Sequence, residues 1–222
     1  DCEFPVLYVY DQYRIPAAGW KRMFQNYGGK NGNGNDNDGD GDCTSYFPAI
    51  TLALIVEQKH WHEYVLDAGF DGGYTYFASK TFTYGSNPSH WKHLQSMTTY
   101  GTGNLDNINQ QKYFVPSVGP GYDDTQVRPW NNINTHERGK MGNYYDFEWA
   151  AAIQAGVSMV SITSFNEWHE GTQIEPAKPF TTSRLHNLHE NYRDYGTGGS
   201  MMYLDLTRTW VEKLEQHHKR QP

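Results

Sequence analysis

Residues 157–175 read VSMVSITSFNEWHEGTQIE, and residues 144–155, just before them, read YYDFEWAAAIQA. The earlier string predicts a helix, and the later one opens with the β-branched, small and apolar pattern of a strand over 158–165. Working outward, the same alternation recurs along the chain. Strands are predicted at residues 5–10, 49–56, 73–77, 113–118 and 158–165, and helices near 16–27, 58–68, 88–100, 144–155 and 201–217. In the last helix Leu204, Leu206, Trp210, Val211 and Leu214 form one apolar stripe. Strand and helix in alternation mark an α/β fold with a parallel sheet and crossover helices. A closed (β/α)8 barrel of the TIM type takes about 250 residues and eight strands. Five units are too few, and the sequence opens on a strand with no helix before it. The expected architecture is therefore the carboxyl-terminal part of such a barrel, a portion of one domain over 1–222, with the amino-terminal strands missing from the sequence. An open doubly wound sheet, which needs no further strands, is the alternative.

Composition narrows the function. The net charge of -7 leaves no basic footprint for nucleic acid. The longest apolar run, Ala49 to Val56, is eight residues, against the roughly 20 a membrane-spanning helix needs, so no membrane contact is expected from this segment. Aromatic residues make up 15% of the chain, and their flat apolar faces and polar tips suit either a core or sugar rings. Two cysteines, Cys2 and Cys43, are too few for a disulfide framework and are not spaced for zinc. Residues 28–42 hold six Gly, four Asn and four Asp, the composition of a flexible surface insertion. Within it, residues 36–41 match the first half of a calcium loop, but the twelfth position is Phe47 where a bidentate Glu belongs.

Side chains at the carboxyl ends of barrel strands line the active site, and Glu167 and Glu170 stand there beside Asn166, Trp168 and His169. Glycoside cleavage needs two carboxyl groups, one giving a proton to the leaving oxygen and one ionised near the sugar. Were residues 167–170 a first helical turn, their i, i+3 spacing would bring the two Cβ atoms to about 5–6 Å. That spacing is also common on solvated helices. His169-Glu170 does not begin a zinc-protease motif, because position 173 is Gln. A second cluster follows the strand at 113–118. Gly119, Pro120 and Gly121 force an irregular turn that presents Tyr122, Asp123 and Asp124, with Arg128 beyond, placed to bind a sugar hydroxyl or to orient a carboxylate. Tyr76 and Tyr84 bracket a third loop.

The strings YFVPSVGPGYDDTQVRPWN (113–131) and VSITSFNEWHEGTQIEPA (160–177), with GFDGGYTYFA (69–78) and FTYGS (82–86) upstream, resemble the glycoprotein endo-α-1,2-mannosidase family. The likeness runs from Pro5 to the last helix, interrupted by the insertion. The resemblance implies a retaining enzyme that cuts an internal α-1,2-mannosidic bond in glucosylated high-mannose N-glycans and releases Glc-Man oligosaccharides. It implies a Golgi-lumen protein anchored through an amino-terminal segment, with no metal or cofactor in its chemistry; the complete protein is expected to be a monomer. It further implies that Glu167 takes the proton of the substrate 2-hydroxyl, which attacks the anomeric carbon to give a 1,2-anhydro sugar, while Glu170 protonates the leaving oxygen. Tyr84 or Tyr76 would then bond the base, and Tyr122, Arg128, Asn166 and Trp168 would contact the sugar. A retaining glycosidase with a covalent glycosyl-enzyme and a non-catalytic glycan-binding relative are the alternatives.

Overall fold

The structure, a computed structural model, describes residues 4–27, 49–99, 112–134, 138, 142–178 and 195–220. The insertion at 28–42, Phe47, Cys2 and Cys43 lie outside the described residues. The fold is α/β with parallel strands, and the chain falls into two compact units.

The first unit comprises Asp1–Thr75 and Leu94–Phe114. Strands β1 (Val6–Val9), β2 (Ile50–Leu54), β3 (Gly72–Tyr74) and β4 (Tyr113–Val115) form a sheet in that order. β1 pairs parallel with β2, Val6 opposite Ile50, and β2 parallel with β3, Leu52 opposite Gly72. Thr51 to Leu54 are buried, as expected for a central strand with both faces covered. The Gln12 amide prolongs the pairing past the end of β1. Its nitrogen donates to the Leu54 carbonyl and its oxygen accepts from the Leu54 N–H, both at 2.9 Å. Gly72 is dictated by crowding, since a Cβ there would lie 2.3 Å from the Tyr113 carbonyl oxygen. Helix α1 (Ala17–Tyr27) and a π-helix (Trp61–Asp67) supply the rest of this core. Phe70 is fully buried, with the rings of Trp20 and Phe24 each centred 5.1 Å away. Truncation to Ala is expected to cost about 3–5 kcal/mol through lost burial and the cavity left behind. Urea unfolding of the Phe70→Ala variant should show a large drop in midpoint, and an unchanged midpoint would mean that the ring is not part of a packed core.

The second unit comprises Tyr76–His93 and Val115–Pro222. In it β5 (Ser117–Val118) pairs parallel with β6 (Ser161–Ile162), Ser117 opposite Ser161 and Val118 opposite Ile162. Helix α2 (Trp91–Ser96) begins in this unit, and α3 (Asn143–Ala155) and α4 (Met202–Lys219) lie wholly within it. The buried Tyr145 and Trp149 of α3 meet Tyr203 and Trp210 of α4, and the Trp210 indole donates to Asp146 at 2.6 Å.

Every predicted strand and helix has a counterpart, and the departures have physical causes. The strand expected over 113–118 is two strands broken at Pro116, which has no N–H for a ladder, while its carbonyl accepts from Ser161 at 3.0 Å. The strand expected over 158–165 shortens to Ser161–Ile162, because β5 offers only two residues to pair with. The apolar stripe of α4 is also shifted. Tyr203 is its buried member and Val211 is exposed.

Candidate active site

The segment after β6 folds back on itself. Ser164 N–H donates to the Thr172 carbonyl (2.9 Å), and the amides of Ile174 and Glu175 donate to the Phe165 carbonyl (3.0 and 2.9 Å). Inside this loop the Glu167 N–H donates to the Ser164 hydroxyl (2.9 Å), and the Thr172 N–H to the Glu167 carbonyl (3.2 Å). Residues 168–171 make a single turn, closed by Gly171 N–H on the Trp168 carbonyl at 3.1 Å, rather than the start of a helix. Glu167 is thereby held at its backbone on both sides. Its carboxylate accepts the His169 N–H at 3.2 Å. From outside, Arg138 donates to the carbonyls of Gly171 (2.7 Å) and Gln173 (2.9 Å), with its guanidinium over the rings of Tyr195 and Tyr203. Tyr195 donates to the Glu175 carbonyl at 2.6 Å.

Glu170 is tied to a second loop. Its carbonyl accepts the Asp123 N–H at 2.8 Å, and its carboxylate accepts from Arg128 at 3.2 Å. The same guanidinium nitrogen reaches the fully buried Asp124 at 3.1 Å. Asp124 also accepts from the Tyr122 hydroxyl (2.8 Å) and the Asn131 amide (2.9 Å). Burial alone would raise the Asp124 pKa, but the bonds from Asn131, Tyr122 and Arg128 prevail and hold it below the usual carboxylate value. Asp124 therefore stays ionised and fixes Arg128. At Glu170 the balance reverses, since burial pushes the carboxyl above its ordinary value despite Arg128, and the negative charges of Glu167 and Asp124 add to the rise. Tyr122 is pushed up by burial and by its bond to Asp124, so it remains a donor. One loop thus carries two carboxyl groups, Glu167 and Glu170, of which Glu170 is bonded to Arg128 of the second loop. Among the described residues no group of three or more His, Cys, Asp or Glu is placed to hold a metal ion.

The sequence matches the pattern of glycosyl hydrolase family 99 over residues 2–216. A mouse (Mus musculus) glycoprotein endo-alpha-1,2-mannosidase is 42% identical over 212 residues, which is 96% of this chain and 40% of that protein. The chain belongs to glycosyl hydrolase family 99. A mouse glycoprotein endo-alpha-1,2-mannosidase-like protein is 44% identical over 209 residues, 94% of this chain and 40% of the relative. The solved structure of the GH99 endo-alpha-mannosidase from Bacteroides thetaiotaomicron, in complex with BIS-TRIS-propane, superposes with a TM-score of 0.77 at 34% identity. It covers 97% of this chain and 59% of that one. The family 99 chain described here thus spans about 40% of the length of the curated relatives it matches.

Within this family 99 chain Glu170, Tyr122 and Arg128 share one hydrogen-bond network through Asp124, while Glu167 lies on the same loop as Glu170 and is bonded to Ser164, His169 and Thr172. Asn166 is exposed and its carbonyl accepts the Trp168 N–H at 3.1 Å, while the Trp168 indole donates to the Glu175 carboxylate. Tyr84 stacks on His90 with ring centres 4.0 Å apart, and Tyr76 lies edge-on to Phe77. Three contributors were not singled out as site residues from the sequence: Ser164, Asn131 and Arg138. Asp124 was noted only as a loop acid. Its i, i+4 spacing to Arg128 was the available signal, whereas nothing local marks Arg138, whose partners lie 33 and 35 residues away.

Proposed function

We propose that this chain carries the catalytic carboxylates of a retaining endo-α-1,2-mannosidase acting on glucosylated high-mannose N-glycans and releasing Glc-Man oligosaccharides. The observation that carries the proposal is the pairing, on one loop, of a half-buried Glu170 with a raised pKa and a Glu167 held by backbone bonds on both sides. Family membership and the names of the relatives support the substrate class. In the mechanism, the carboxylate of Glu167 takes the proton of the substrate 2-hydroxyl. That oxygen attacks C1 as the C1–O bond to the departing glycan breaks, and Glu170 gives its proton to the leaving oxygen. A 1,2-anhydro sugar results. Glu170, now ionised, then takes a proton from water, which attacks C1 and opens the ring, and Glu167 returns its proton to O2. Two inversions at C1 give net retention.

The supporting roles follow from position. Tyr122, Arg128, Asn166 and Trp168 contact the sugars, and Tyr84 or Tyr76 bonds the base once substrate is bound. The architecture proposed is a (β/α)8 barrel to which these strands contribute, and the setting proposed is the Golgi lumen, in line with the kinship to glycoprotein-processing enzymes. The test is to incubate the full-length protein with a glucosylated high-mannose glycan and identify the products. Release of a Glc-Man disaccharide or a longer glucosylated homologue is expected, and stepwise release of single sugars would contradict an endo mode.

Arg128 offers a check on the titration. Its bond and charge lower the Glu170 pKa, so Arg128→Gln is expected to raise that pKa further. The acid form then survives to higher pH, and the alkaline limb of the kcat profile should move upward. A limb that stays in place or moves down would mean that another group sets it.

A further inference from the structure

Helix α3 carries a carboxyl that the proposed mechanism does not use. Glu148 is 1% exposed, among apolar neighbours in sequence, and burial pushes its pKa well above the carboxylate range against smaller opposing effects from Tyr144, the Gly119 amide and Lys80. Among the described residues its Oε1 makes no hydrogen bond, whereas its Oε2 accepts the N–H of Gly119 at 3.3 Å. A buried acid here costs more than the Leu or Met that would fill the same helix face, so its retention asks for a specific use.

Gly119 is where the ends of β5 and β6 meet the segment at Ala78. A Cβ on it would stand 2.5 Å from the Ala78 Cβ and 2.6 Å from the Thr163 carbonyl oxygen. Each of the three residues opens a loop segment. Gly119 leads to Tyr122 and to Asp123, whose N–H holds the Glu170 carbonyl at 2.8 Å. Thr163 leads to Ser164, whose hydroxyl accepts the Glu167 N–H at 2.9 Å. Ala78 leads to Ser79, whose carbonyl accepts the Ser86 hydroxyl at 2.9 Å in the turn that carries Tyr84. One turn before Glu148 on the same helix, the Tyr144 hydroxyl donates to the Ala78 carbonyl (2.8 Å) and accepts the Lys80 N–H (3.0 Å). A single helix thus grips the backbone of two of these loops with two polar side chains, at the point where the third passes.

We propose that Glu148 and Tyr144 are positioning residues that brace the 78–80 and 119–123 loops from behind and so set Glu170 and the Tyr84 turn relative to Glu167. This rests on the reading of Glu167 and Glu170 given above. The essential feature of Glu148 is an acceptor for the Gly119 N–H. Glu148→Gln preserves it, Glu148→Leu removes it at similar size, and Tyr144→Phe releases residues 78–80.

The full-length protein and these three variants are compared for kcat and KM on a glucosylated mannose glycan, with amide exchange followed over residues 117–123. Glu148→Gln is expected to stay within about threefold of the parent kcat, while Glu148→Leu and Tyr144→Phe lose about tenfold or more in kcat with little change in KM, as a small misplacement of catalytic groups would produce. Exchange over 117–123 should accelerate in Glu148→Leu and not in Glu148→Gln. Parent-like kcat in Glu148→Leu or Tyr144→Phe overturns the brace, as does a Gln variant as impaired as the Leu variant. Should the Leu variant fail to fold, the contrast between Glu148→Gln and Tyr144→Phe decides. A parent protein that does not cleave the glycan contradicts the proposed function instead, and the exchange result still tests the brace.

Discussion

Glu170→Gln in the full-length protein is expected to lower kcat on a natural mannoside by about 10²–10⁴-fold, the range a positioned general acid supplies. The amide keeps the shape and the bond from Arg128 but has no proton to give. The loss should depend on the leaving group, because an aryl or fluoride departs without protonation while a sugar oxygen does not. An activated substrate is therefore partly spared, and equal losses on both substrates would remove Glu170 from the acid role. The pH profile follows from the same group. Burial raises the Glu170 pKa, so its working, protonated form persists to higher pH than in an ordinary Glu, and kcat falls as pH rises through that value. In the Gln variant this alkaline limb should vanish along with most of the rate.

Glu167→Gln is expected to reduce turnover by at least about 10³-fold, because without a base the 2-hydroxyl remains a poor nucleophile. Glycan binding should stay within about tenfold, or 1.4 kcal/mol, since the backbone bonds that fix residue 167 do not involve its carboxylate. Calorimetric titration with an uncleaved glycan measures the binding. A variant that loses binding as well as turnover would place Glu167 in substrate recognition rather than in proton transfer.

Glu167 and Glu170 stand out as candidates in the sequence because the chain places them directly after an apolar strand, where α/β folds expose their loops. The strands were legible too, except where pairing rather than pattern decides their length. The chemistry of 113–118 favours a strand throughout, and only the missing N–H of Pro116 divides it. Arg128 was marked as a possible partner for a carboxylate, but its choice of Glu170, 42 residues away, depends on two loops meeting in space. Helix 58–68 was visible as a helix, yet its π winding, closed by the Ala68 N–H on the Glu63 carbonyl at 3.1 Å, leaves no trace in apolar periodicity. Glu148 was illegible for a different reason. An acid in an Ala-rich helix, two residues after Asp146, reads as a solvent-facing residue, and its burial depends on Gly119 lying against that face.

The step proposed for this site is attack of the substrate's own 2-hydroxyl, activated by Glu167, on the anomeric carbon while Glu170 protonates the leaving oxygen. It is tested most directly by incubating the full-length protein with a 2-fluoro mannoside that carries an activated leaving group, followed by mass spectrometry of the proteolysed enzyme. Without a 2-hydroxyl there is no internal nucleophile, so binding without turnover, with no glycosyl adduct on any peptide, is the expected result. A stable 2-fluoroglycosyl ester on Glu167 or Glu170 would contradict it and establish a covalent glycosyl-enzyme in its place.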